Sequence, residues 1–452
     1  MEKKKRSADA LFQWNGMPPL RLSIPLALQH LVAMIVGCVT PAIIIANVIG
    51  LPLNERVLLI QSSLVMSAIA TLLQLFPIGG RFGSGLPVIL GVSFAYLPSM
   101  QAIAAAGQGI STIAGAMICG GIVSILVGLF VTKIRRLFPP VITGTVVFTI
   151  GLSLYPTAIN YMAGGTANTY ELIVQTKGLT SALVYGSWQN WLIAIITLIV
   201  VMVLNNHGKG VCKLASILLG MVAGYIVALC FGMVDFSGIH DTALVALPQP
   251  FHFGIHFDLA ACISLSLLFA INSIQAIGDF TATTVGGLGR DPSDRELQGG
   301  IIAYGASNVL GACIGGLPTA TYSQNVGIVT TNKVVNRSVF AITGGFLLLA
   351  GISPRFASLL TTIPQCVLGG ATITVFSTIA MTGMKLIASQ EFSARNTTIV
   401  GLSAALGVGI SQASASLSQF PETITMIFGK SPVVIATIMA VLLNVVLPKN
   451  EK

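Results

Sequence analysis

The chain has 452 residues, 54% of them apolar and 8% charged, with a formal net charge of +9 and a mean hydropathy of +0.88. A soluble domain carries about 25% charged residues, so this composition excludes a water-covered globule and points to a polytopic helical membrane protein. The seven cysteines form no C-x-x-C pair, which excludes a disulfide scaffold, and the basic residues sit in short loops and the N-terminal tail, which argues against a nucleic-acid partner.

In chain order, residues 1–6 are basic and 7–14 polar, with no short apolar region and cleavage site, so no secretory signal is read. The first span starts near residue 22 and carries Gln29-His30-Leu31. A second apolar run covers 58–76, and Gly85-Leu86-Pro87 then breaks the pattern and leads through Val92 to Ser93-Phe94. Further runs follow at 113–131, 191–204, 214–231 and 263–277. Gly316-Leu317-Pro318 makes a second break, leading to Gln324-Asn325, and runs at 339–350, 397–409 and 433–447 complete the series. Each run approaches the ~20 residues that a helix needs to cross a bilayer, and with the shorter and broken segments the total is about fourteen membrane elements.

With the N-terminus inside and fourteen alternating elements, all Lys and Arg residues except Arg56, Lys177, Arg355 and Lys430 fall in inside loops. The positive-inside rule selects this orientation, with both termini cytoplasmic in a multi-pass cell-membrane protein. The chain also repeats. Gly85-Leu86-Pro87 returns 231 residues later as Gly316-Leu317-Pro318, and Pro139-Pro140-Val141-Ile142-Thr143-Gly144 has a counterpart 225 residues later at Pro364-Gln365-Cys366-Val367-Leu368-Gly369. Two halves of seven elements, an odd number, must be inverted relative to each other, which is the inverted-repeat transporter plan.

In such a plan the substrate sits where broken helices place their free N–H groups. Ser93 and Gln324 each lie eight residues after the first glycine of their G-L-P motif, which predicts that they are equivalents. Gln324 and Asn325 are adjacent amides, each with two donors and an acceptor, suited to a planar heterocycle with C=O and N–H edges; hydrogen bonding between helices is the alternative use. Asp279 is the one acid well inside a span, and Gln275 lies four residues before it on the same helix face. Asp279 is read as a coupling or site-organising group, against a helix-capping or purely structural role. His30 is a possible proton carrier, with bonding to a neighbouring helix the favoured reading. No H-E-x-x-H, no clustered His/Cys ligands and no intramembrane acid pair occur, so neither a metal site nor an enzyme is expected.

The second break continues as Gln324-Asn325-Val326-Gly327-Ile328-Val329-Thr330-Thr331-Asn332-Lys333. This resembles the signature of the nucleobase–ascorbate transporter family, nucleobase:cation symporter 2: Gln324, Asn325, Gly327 and Lys333 match, and Asn332 stands where Thr is usual. Similarity extends through Gln29-His30-Leu31, Gly83-Ser84-Gly85-Leu86, Ala276-Ile277-Gly278-Asp279 and Val367-Leu368-Gly369-Gly370.

The resemblance implies an all-α membrane fold of fourteen segments in a 7+7 inverted repeat, with a core domain (1–137 and 256–356) and a gate domain (138–255 and 357–452). It implies a homodimer in the bilayer that takes up nucleobases without a cofactor, usually coupled to protons. Gln at the place of Gln324 is typical of relatives similar to xanthine and urate permeases. The expected base ligands are Gln275, Gln324, Ser93, Asn325 and Phe94, with Asp279 and His30 organising or coupling. Two departures matter: Gln275 stands where the family usually has Glu, and Tyr304 where it often has Asp. Xanthine or uric acid is the expected cargo; a uracil or other nucleobase permease, and an anion exchanger or facilitator of the same fold, are the alternatives.

Overall fold

The computed structural model describes residues 8–131, 139–165, 184–236, 239, 243–420 and 431–448. The expected domain boundary at 137/138 lies outside them, as do Lys3, Lys4, Lys5, Arg6, Lys133, Arg135, Arg136, Lys177, Lys430, Lys449 and Lys452 of the loop-charge argument. The first half consists of α1 (Leu20–Ile49), α2 (Leu53–Leu75), β1 (Leu90–Val92), α3 (Leu97–Ala105), α4 (Ile110–Leu129), α5 (Pro140–Met162), α6 (Trp188–His207) and α7 (Ser216–Cys230). The second half consists of α8 (Leu259–Thr283), α9 (Asp294–Ile314), β2 (Thr319–Thr321), α10 (Ser323–Asn332), α11 (Arg337–Gly351), α12 (Pro354–Thr361), α13 (Gln365–Ala388), α14 (Ala394–Gln412) and α15 (Pro432–Val446). Among the described residues, eight helices are long and apolar enough to cross a membrane, or nine if α11 and α12, bent by 78° at their junction, form one span. The shorter α7 and α15, the 19-residue α14 and the two breaks make up the expected count of about fourteen only if each is taken as a segment.

The helices pack in two groups. One joins α1, α2, α3, α4, α8, α9, α10 and α11 around the two strands, and the other joins α5, α6, α7, α13, α14 and α15. The second group is built on the α5–α13 contact, where small residues let the backbones touch. A Cβ on Gly151 would lie 2.4 Å from the Ala380 nitrogen, and one on Gly383 2.2 Å from the Phe148 nitrogen. Both helices start behind a proline, Pro139 and Pro364, whose fixed φ suits the entry to a helix. These are the prolines of the second sequence repeat.

The strands pair antiparallel, with Leu90 opposite Thr321, Gly91 opposite Ala320 and Val92 opposite Thr319. β1 begins at Leu90 and β2 at Thr319, an offset of 229 residues, two fewer than the 231 between the G-L-P motifs. The expected equivalence of Ser93 and Gln324 is therefore shifted. Ser93 and Tyr322 are the residues that follow the strands and precede the next helical turn, and Gln324 lies two residues further along. The second half reaches its strand in two fewer residues, which the motif alone could not reveal.

Candidate functional site

The first break is fixed by side chains of α2. Gln74 donates to the Gly300 carbonyl at 2.7 Å and accepts from the Ser84 nitrogen at 3.0 Å. Thr71 Oγ1 donates to the Leu90 carbonyl (3.0 Å) and accepts from the Leu90 nitrogen (3.1 Å), while Ser67 Oγ accepts from the Val92 nitrogen (3.3 Å). These bonds satisfy backbone groups of a strand that has no second neighbour, which burial would otherwise penalise. Ser93 donates its N–H to the Pro318 carbonyl, and its hydroxyl accepts from the Ala95 nitrogen, starting the turn at Phe94–Tyr96.

The second break is held from three sides. Asn308 of α9 accepts from the Thr319 nitrogen at 2.8 Å. Tyr322 donates its hydroxyl to the Val92 carbonyl at 2.6 Å. The ring lies against Gly37 of α1, where a Cβ would meet the hydroxyl at 2.7 Å, so only glycine leaves room for it. Asp279 of α8 is 7% exposed and accepts from Ser323 Oγ at 2.8 Å and from Thr321 Oγ1 in a short hydrogen bond. Its carboxylate thus ties down both sides of the step from β2 into α10. Within α10, the Asn325 and Val326 nitrogens bond to the Tyr322 carbonyl, and the Ser323 and Gln324 N–H groups at the helix start have no backbone partner among the described residues.

Between the two helix groups lies a cavity of about 280 Å³. Ser93, Phe94, Gln275, Thr321, Ser323 and Gln324 line it on one side, and Val147, Ile150, Val375, Thr378, Ile379 and Thr382 on the other. Phe94 meets Phe376 edge to face, with centroids 5.2 Å apart, at the seam between the groups. The hydroxyl protons of Thr321, Tyr322 and Ser323 point inward to Asp279 and Val92. The Gln275 and Gln324 amides have no protein partner among the described residues. Two free amides, a free hydroxyl proton on Ser93 and the unpaired N–H groups of α10 present donors and acceptors together, beside an aromatic ring, to a ligand with a planar polar edge.

Four of the five expected base ligands, Ser93, Phe94, Gln275 and Gln324, are brought to one cavity. The fifth differs: Asn325 is 1% exposed and turns away, donating to the His30 carbonyl (3.0 Å) and to the His30 ring nitrogen Nδ1 (3.1 Å). Adjacent helical residues diverge by about 100°, so neighbours at the start of α10 do not share a face. His30, packed on Phe340 at 4.6 Å, is correspondingly the α1 anchor for α10 rather than a cavity residue. Asp279 is likewise behind the cavity wall. The motif's tail lies at the far end of α10, on the order of 15 Å from Gln324 at 1.5 Å per residue. Gly327 lies mid-helix, three residues after Gln324, and accepts from Thr330 and Thr331; at the far end Asn332 ends the helix, and Lys333 closes it with φ +57° and donates Nζ to the Gly286 carbonyl. Tyr304 is fully buried, and its hydroxyl shares a short hydrogen bond with that of Tyr96. Thr378 and Thr382 were not foreseen; their positions in the sequence carry no signal beyond a polar residue every fourth place on an apolar helix. Polar bonds also cross between the groups: Thr157 to Gln101 at 3.3 Å, and Ser99 with Ser431 at 3.0 Å. Among the described residues no group of three His, Cys, Asp or Glu could hold a metal ion.

Residues 21–416 match the profile of the Permease family. The chain is 33% identical to the xanthine permease of Bacillus subtilis over 427 residues, covering 94% of this chain and 93% of the relative. It is 34% identical to the uric acid permease PucK of the same organism over 421 residues, covering 93% and 94%. Among solved structures, the transmembrane domain of the cyanobacterial bicarbonate transporter BicA aligns with a TM-score of 0.58 at 18% identity, over 86% of this chain and 96% of that one. SLC26A9 aligns at 0.60 and 12% identity, over 96% of this chain and 67% of that one. These two likenesses show a shared fold and nothing about cargo.

Proposed function

The chain belongs to the nucleobase–ascorbate transporter family, matched above as the Permease family, and from that premise we propose that it carries a purine base, xanthine or uric acid, across the cell membrane. The observation that carries the reading is the pair of amides, Gln275 and Gln324, without a partner among the described residues, on the wall that the two broken segments give to a cavity between the helix groups. A buried site built to hydrogen-bond a ligand rejects analogues that leave its groups unpaired. The oxidised purines, rich in C=O and N–H on their ring edges, satisfy such a wall. Residues 1–137 and 256–356 form the core that carries the site, and 138–255 and 357–452 the gate, through which two copies associate. Transport on this plan requires core and gate to move past each other, breaking the Thr157–Gln101 and Ser99–Ser431 bonds.

A proton symporter needs a group whose proton affinity is linked to substrate binding. Neither Gln275 nor the Tyr96–Tyr304 pair offers a carboxylate, and Asp279 is the acid that remains near the site. Coupling to protons is accordingly weaker here than in relatives with Glu at the place of Gln275.

The test is initial uptake of labelled xanthine, urate, hypoxanthine, guanine and uracil in cells lacking their own permeases, with and without an uncoupler and across external pH. Xanthine or urate should enter in preference to uracil, uptake should fall only in part on uncoupling, and Gln275→Glu should steepen the pH profile. Uptake of uracil alone contradicts the cargo, and complete loss on uncoupling contradicts the coupling reading.

A further inference from the structure

The wall opposite the amides is aliphatic except at two places. Val147, Ile150, Val375 and Ile379 surround Thr378 and Thr382, which are four residues apart on α13 and share one face. Each hydroxyl has already committed its proton: Thr378 Oγ1 donates to the Thr374 carbonyl at 2.8 Å, and Thr382 Oγ1 to the Thr378 carbonyl at 2.8 Å. A threonine hydroxyl has one proton and two lone pairs. Both therefore offer the cavity acceptor capacity alone. Back-bonded threonines elsewhere, such as Thr145, Thr149 and Thr372, are buried and do not line this cavity.

The two walls are thus chemically unlike. The core wall supplies amide and backbone donors along with acceptors, while the gate wall supplies only acceptors. A ligand whose one edge is satisfied by Gln275 and Gln324 must turn another edge toward α13, and only N–H groups on that edge gain a hydrogen bond there.

We propose that Thr378 and Thr382 determine specificity from the gate side, accepting hydrogen bonds from ring N–H groups on the edge of the base remote from Gln324. The inference rests on the purine reading above and names the edge that the opposite wall reads. It makes the gate a participant in selection: a base lacking an N–H at that edge meets an unreciprocated acceptor on a wall that is otherwise hydrocarbon.

The experiment measures inhibition of labelled xanthine uptake by xanthine and by N-methylated xanthines, each lacking one ring N–H, for wild type and for Thr378→Val, Thr382→Val and the two Thr→Ser variants. Each Val variant should weaken xanthine by about three- to tenfold, the weight of one hydrogen bond. It should leave unchanged the affinity for the methyl derivative that already lacks the N–H in question. Serine at the same place should restore xanthine and discrimination, which a purely structural role of the threonine methyl would not allow. Val variants that weaken every derivative equally, or none, overturn the proposal while leaving the cargo reading intact. A wild-type chain that takes up no purine at all overturns both.

Discussion

The first break, at β1, and the second, at β2, each place a three-residue strand ahead of a helical turn, but their supports differ. At β1 neutral side chains of α2 do the work: Thr71, Ser67 and Gln74 bond directly to backbone groups. At β2 a buried carboxylate, Asp279, binds the hydroxyls of Thr321 and Ser323, and an amide–imidazole pair, Asn325 with His30, fixes the helix that follows. The comparison teaches that a broken segment can be built without charge. An acceptor-only carboxylate can hold two hydroxyl protons at once, and here it turns those of Thr321 and Ser323 away from the cavity that Gln324 lines. A cost is implied, since an ionisable group at depth is expensive, and it falls on the break that leads into Gln324.

The sharpest way to break this comparison is Asp279→Ala. Two hydroxyl donors lose their acceptor, at about 1–3 kcal/mol each, so transport should fall by roughly a hundredfold or more with the protein still inserted in the membrane. Replacing both partners by apolar groups is far milder than removing one. Adding Thr321→Val to Asp279→Ala should accordingly recover part of the loss in the same uptake assay. A double variant no better than the single one would show that the carboxylate acts on protons or substrate and not on the break.

Thr71→Val tests the neutral side of the comparison. It leaves the Leu90 N–H and carbonyl without their side-chain partner. Two bonds between neutral groups are lost, at about 0.5–1.5 kcal/mol each, so the expected loss is about 1–3 kcal/mol, seen as a roughly 5- to 150-fold fall in purine affinity. A loss as large as that from Asp279→Ala would erase the distinction between the two supports.

Much of this architecture was legible in the chain itself. The paired G-L-P motifs mark the breaks, the i, i+4 spacing puts Gln275 and Asp279 on one face of α8, and the low charge content gives the fold class. What escaped reading did so for physical reasons. The register of β1 against β2 depends on how many residues each half spends between its proline and its strand, and the motifs fix only where the breaks begin. Asn325 was expected beside Gln324 on the base, yet the rotation from one helical residue to the next sends it to His30. Thr378 and Thr382 sit in a largely apolar helix among other hydroxyl residues, such as Thr372, Thr374 and Ser377, from which the sequence does not set them apart. Only the approach of α13 to the breaks, marked by Phe94 against Phe376, gives them a cavity to face.

Direct binding of labelled xanthine to the purified protein in lipid, wild type against Gln324→Ala, tests the central claim with transport steps removed. If the free amide of Gln324 reads the base, its removal costs about 1–3 kcal/mol, or roughly 5- to 150-fold in Kd, while binding to the lipid-reconstituted fold itself persists. A Gln324→Ala protein that binds xanthine as tightly as wild type would contradict the account.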